Sequence, residues 1–111
     1  MKKYKKIDGI TIQAMVTKDY EEKIINKSIE YGMSYSDMLL SAIDEQLLND
    51  NIISYNFNSQ RNKKISIKVT KKYKGRIDNY CNKYNITKTD FIISALENYI
   101  DRRNIINKNK K

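Results

Sequence analysis

Polar and apolar residues alternate in two short stretches of the chain, Thr11-Ile12-Gln13-Ala14-Met15-Val16 and Lys64-Ile65-Ser66-Ile67-Lys68-Val69. A period of two is the mark of a half-buried strand. Each stretch runs into a threonine, Thr17 or Thr70, well suited to cap a following helix. The period then lengthens. Tyr20, Ile24, Ser28 and Tyr31, and likewise Tyr73, Ile77, Cys81 and Tyr84, fall at the spacing of one buried helical stripe. Gly32 and Asn85 stand where a left-handed residue would end those helices. Ser34 and Thr87 follow, each with an aspartate three positions on (Asp37, Asp90), in the pattern of a capping box opening a second helix. Met38, Leu39, Ala42, Ile43 and Leu47 form its apolar face, matched later by Phe91, Ile92, Ala95, Leu96 and Ile100. The small central alanine suits close helix packing.

The two readings match because the chain repeats. Residues 16–50 fall on residues 69–103 at an offset of 53 without a gap, and ten of those 35 positions are identical. Chance in so Lys-, Asn- and Ile-rich a sequence would give about two or three. A unit of about 45 residues buries too little surface to fold alone, so each repeat is expected to be the other's folding partner. A lone strand leaves its ladder groups unpaired, and the other repeat supplies the missing strand. The expectation is a mostly α chain with a short two-stranded antiparallel ribbon, an intramolecular pseudo-dimer over four helices. Pairing between chains in a swapped dimer is the open alternative. The expected divisions are a basic N-terminal arm (1–9), a first repeat (10–50), a linker (51–62), a second repeat (63–103) and a basic C-terminal tail (104–111), the repeats together making one domain. Within the linker, Ile52, Ile53, Tyr55 and Phe57 are candidates to pack down on the core.

Composition narrows the chemistry. The chain has 111 residues, no Pro and three Gly, so long helices are not interrupted. Charges or amides break every apolar run, which argues against a membrane span. The basic start leads into Asp8-Gly9 rather than an apolar segment, so no signal peptide is expected. With no His and the single Cys81, a transition-metal site is not expected, Ser-His and Cys-His triads are excluded, and a cytoplasmic setting fits. No carboxylate pair stands in a recognisable catalytic motif, so neither enzymatic activity nor a cofactor is expected.

Charge is unevenly placed. Residues 1–53 hold 7 basic and 9 acidic side chains, whereas residues 54–111 hold 15 basic and 4 acidic, and the whole chain carries +9. A block this positive points to a polyanion such as nucleic acid.

Strand, helix and helix in about 45 residues, with the strand Lys64–Val69 and the stretch Ser94-Ala95-Leu96-Glu97-Asn98-Tyr99, resembles the ribbon-helix-helix DNA-binding family, of the MetJ, Arc and CopG type. The doubled pattern is similar to the tandem form of that family typified by TraY. The resemblance covers nearly the whole chain outside tails and linker. It implies that the outward ribbon residues, Thr11, Gln13 and Met15 with Lys64, Ser66 and Lys68, read base edges of double-stranded DNA in the major groove. Gln suits adenine, Lys reaches guanine, and Met packs on a thymine methyl. It also implies that the N-termini of the second helices, at Ser34, Tyr35 and Ser36 and at Thr87, Lys88 and Thr89, hold phosphates through free N–H groups and the helix dipole. The first repeat departs from the family in lacking an obvious basic reader and in its acidic body (Asp19, Glu21, Glu22, Glu30), so a non-palindromic target is expected.

The function this implies is transcriptional repression on a plasmid, phage or other mobile element, with cooperative self-association along the DNA. A relaxosome or partition accessory role, or an antitoxin-type module gripping a protein partner, stays open beside it.

Overall fold

The computed structural model describes residues 9–55, 57 and 60–109. Six elements follow in order: β1 (Ile10–Val16), α1 (Lys18–Glu30), α2 (Tyr35–Gln46), β2 (Lys63–Val69), α3 (Lys71–Tyr84) and α4 (Lys88–Asn109). Strand, helix, helix thus occurs twice.

Caps fix each boundary. Thr17 and Thr70 are extended, and their hydroxyls accept the N–H of Tyr20 and of Tyr73, at 3.1 and 3.2 Å. The chain leaves α1 and α3 by the same device. Gly32 (φ +67°) and Asn85 (φ +55°) adopt the left-handed region. In each exit two crossed bonds close the helix: Met33 N–H to Ser28 C=O with Gly32 N–H to Ile29 C=O, and Ile86 N–H to Cys81 C=O with Asn85 N–H to Asn82 C=O. This is the Schellman arrangement, and Met33 and Ile86, the residues just beyond, pack on the core.

The strands pair antiparallel, with Ile12 facing Ile67, Gln13 facing Ser66 and Ala14 facing Ile65. Alternation then sorts the side chains. Ile12, Ala14, Val16, Ile65, Ile67 and Val69 are buried on the helices, as their period requires. Gln13 and Ser66 are 53 residues apart, so the ribbon is centred on two equivalent positions of the repeat. On the helices, Tyr20, Ile24 and Ser28 of α1 and Ile77 and Cys81 of α3 are buried as the stripe demands, while Tyr31, Tyr73 and Tyr84 are half-buried at its rim. Met38, Leu39, Ala42 and Ile43 of α2 and Phe91, Ile92, Ala95, Leu96 and Ile100 of α4 complete the core.

The structure departs from the sequence reading at two places. The residues 104–109, read as a tail, continue α4; no Gly or Pro follows Gly75 to stop the helix. The capping boxes are also unequal. Thr87 accepts from Asp90 N–H at 3.0 Å and donates its own N–H to the Asp90 carboxylate at 3.4 Å, whereas Ser34 only accepts, from Asp37 N–H at 3.1 Å.

The linker folds back rather than looping free. Gln46 at the end of α2 is 1 % exposed, and its amide meets the Tyr80 hydroxyl and Asn51 C=O, each at 3.0 Å. Asn98 of α4 donates to Gln46 Oε1 at 2.9 Å and to Asn51 C=O at 2.8 Å, and the Asn51 amide donates back to Asn98 at 2.8 Å. Ser94 accepts Ile53 N–H at 2.8 Å. A buried amide left unpaired would cost about 1–3 kcal/mol; here each finds partners, and the linker is pinned across α4. That is why Ile93 and Ser94 are buried while their counterparts on α2, Leu40 and Ser41, are only half-buried.

Candidate nucleic-acid interface

The antiparallel register gathers the six strand residues named from the sequence on one outward face. Thr11 faces Lys68, Gln13 faces Ser66 and Met15 faces Lys64. Five of them are exposed and Met15 is half-buried. With the opposite face sealed by the core, this side is left to solvent.

Lys64 and Lys68 both lie on β2, two residues either side of Ser66. Each end of the face therefore carries one lysine, but both lysines run along the same edge. Lys63, unnamed in the sequence reading, extends that edge at the exposed start of β2. Its position in the alternation is that of a core residue, which hid it.

At the start of α2, Ser34 and Ser36 are exposed and Tyr35 is half-buried. The N–H groups of the first helical turn have no acceptor within the helix, and the Ser34 hydroxyl takes that of Asp37. Burial, then the nearby Glu21 carboxylate, pushes the Tyr35 phenol up to about 12. At the start of α4, Thr87 is exposed and Lys88 and Thr89 are half-buried. The Lys88 ammonium lies 2.9 Å from Asp78, which Lys74 also holds at 2.7 Å. Hydrogen bonds from these two lysines lower the Asp78 carboxyl below its ordinary value. The two helix starts thus differ: that of α4 carries a lysine tied back to α3, and that of α2 carries a tyrosine beside acidic α1.

The halves are joined by two equivalent contacts. The Tyr20 hydroxyl of α1 donates to Glu97 of α4 at 2.6 Å, and the Tyr73 hydroxyl of α3 donates to Asp44 of α2. Tyr20 and Tyr73 stand 53 residues apart, as do Asp44 and Glu97. Burial first, and the neighbouring carboxylate with it, raises both phenols. Lys23 adds an ion pair to Glu97 at 3.0 Å.

Among the described residues no cluster of His, Cys, Asp and Glu is arranged to hold a metal ion, and no helix is long and apolar enough to cross a membrane. The Cys81 thiol is buried, which raises its pKa and leaves it as a small core group. No protein-family model, curated protein or solved structure matches this chain.

Proposed function

We propose that the chain is a tandem ribbon-helix-helix protein, a dimer fused into one polypeptide, that binds double-stranded DNA by laying its ribbon in the major groove. The observation that carries this reading is the pairing of Thr11, Gln13 and Met15 with Lys68, Ser66 and Lys64 on a single solvent-facing side. The major groove admits a two-stranded ribbon, and these side chains suit the donors, acceptors and methyls displayed there. The fused-dimer part rests on two facts. Equivalent residues Gln13 and Ser66 face each other at the ribbon's centre, and the Tyr20–Glu97 contact recurs as Tyr73–Asp44.

Within this reading the ribbon specifies sequence, while the starts of α2 and α4 position the protein on phosphates. The basic second half of the chain supplies the salt-dependent attraction. No catalytic step or cofactor is involved. The biological role is repression of transcription from a plasmid, phage or other mobile element, with several molecules cooperating along an operator.

Selection from a random-duplex library at two salt concentrations tests the reading. An enriched motif is expected, and its absence would overturn sequence-specific binding. Given a motif, Lys68→Ala relaxes preference at one base pair, at a cost of about 1–3 kcal/mol. Lys88→Ala weakens all sequences alike and flattens the salt slope by about one. Uniform weakening by Lys68→Ala would remove the ribbon from base reading.

A further inference from the structure

A cleft of about 500 Å³ opens beside β2, lined by Gly9, Leu40, Asp44, Lys68, Val69 and Tyr73 among others. The repeat gives this cleft a twin. Moving Leu40, Asp44 and Tyr73 by 53 positions yields Ile93, Glu97 and Tyr20. The twin is filled by the chain's own linker: the ring of Phe57 lies 5.6 Å from that of Tyr20 and the ring of Tyr55 lies 5.1 Å from it. Burial follows occupancy, since Ile93 and Tyr20 are each 2 % exposed while Leu40 and Tyr73 are only half-buried.

We propose that the open cleft is the seat of Tyr4, carried by the N-terminal arm. Phe57 stands six residues before Lys63, where β2 begins; Tyr4 stands six residues before Ile10, where β1 begins. The same spacing from equivalent strands delivers an aromatic ring to equivalent clefts. Residues 1–8 lie outside the described residues, but the arm departs from Gly9, which already lines the cleft. Five residues reach about 17 Å when extended, more than enough to turn in.

Charge gives a second, independent reason. In the filled twin, Glu97 receives both the Tyr20 hydroxyl and the Lys23 ammonium, the latter at 3.0 Å. In the open cleft, Asp44 receives the Tyr73 hydroxyl, but the counterpart of Lys23 is Arg76, which lies over the Tyr73 ring at 5.6 Å instead. Among the described residues no cation pairs with Asp44. The arm brings Lys2, Lys3, Lys5 and Lys6 on either side of Tyr4, a basic segment for an apolar cleft with an acidic rim.

The test uses the full chain with methyl-labelled leucine and isoleucine, followed by nuclear magnetic resonance and by trypsin cleavage after Lys5 and Lys6. In Tyr4→Ala the Leu40 methyl resonances move as the ring current is lost, the Ile93 methyls stay in place, and cleavage is about tenfold faster because the arm has lost its anchor. Tyr4→Phe keeps the wild-type pattern on both readouts, as the twin's Phe57 implies. Failure of either change in Tyr4→Ala would overturn the proposal. So would a Leu40 shift that depends on protein concentration and survives Tyr4→Ala, because the occupant would then be a second copy of the chain. Neither readout involves DNA, so a negative result here leaves the ribbon reading untouched.

Discussion

Gly32 and Asn85 do the same work with different chemistry. Both hold a positive φ at the exit of the first helix of their repeat, and nothing lies within 4 Å of a Cβ built on Gly32. The cost of replacing Gly32 is therefore conformational rather than steric. Gly32→Ala should lower stability by about 1 kcal/mol, and Asn85→Gly should be neutral or slightly stabilising, both read from urea melts. Tyr20 gives a second residue-scale expectation. Its phenol is raised above its ordinary value by burial and by Glu97, so the folded state keeps a proton that the unfolded chain releases near pH 10. Above that pH the unfolded state binds fewer protons, and stability falls as pH rises. Tyr20→Phe should lose stability at neutral pH, because Glu97 loses a donor, yet show a shallower decline above pH 10. Denaturant midpoints from pH 7 to 11 check both limbs; an unchanged slope would mean that Tyr20 does not govern the alkaline limit.

At the scale of elements, the two repeats obey one pattern and differ where the linker lies. Strand boundaries, caps and the exits of α1 and α3 were legible because each has a local signature: alternation at Thr11–Val16, a threonine before α1 and α3, Gly32 or Asn85 after them, and Ser34 or Thr87 before α2 and α4. The network of Gln46, Asn51, Tyr80 and Asn98 was not. Its members are polar residues in a chain full of asparagine, and Gln46 and Asn98 are satisfied in the interior only because the linker returns across α4 to bring Asn51 to them. Tyr80 stands three residues after Ile77 and four before Tyr84, on the same helix face, but its counterpart in the first repeat is Lys27, so the repeat gave no sign of its burial. Among the site residues, the ribbon face was legible because alternation alone decides it; the Lys88–Asp78 tie was not, because it joins α3 and α4 in space. The network has a measurable consequence. Asn51→Ala leaves Asn98 short of a partner and should cost about 1–3 kcal/mol, whereas Ser54→Ala, at an exposed linker position, should stay within about 0.5 kcal/mol. Equal effects in denaturant titrations would show that the linker is not clamped.

For the whole molecule, the fused-dimer reading changes what symmetry demands. Two identical chains would present the same three outward residues from each strand, and a dyad through the ribbon would impose a palindromic target. Here the dyad survives in the backbone, where Gln13 faces Ser66, and in the paired contacts Tyr20–Glu97 and Tyr73–Asp44. It is broken in the side chains. β2 offers Lys64, Ser66 and Lys68, and β1 offers Thr11, Gln13 and Met15 at the equivalent places. Both ends of the face have a lysine, but the two share an edge instead of being related by the dyad. On the DNA-binding reading, each half-site then meets a cation approaching from the same strand, and the preferred sequence is not self-complementary. The triple substitution Thr11→Lys, Gln13→Ser and Met15→Lys gives β1 the outward face of β2. It alters only exposed or half-buried positions, so the fold should hold, and circular dichroism would confirm it. Library selection with this variant should return a motif closer to a palindrome than the wild type does, with a steeper salt slope from the two added charges. A motif unchanged in symmetry would place base recognition somewhere other than the ribbon, even with DNA binding intact.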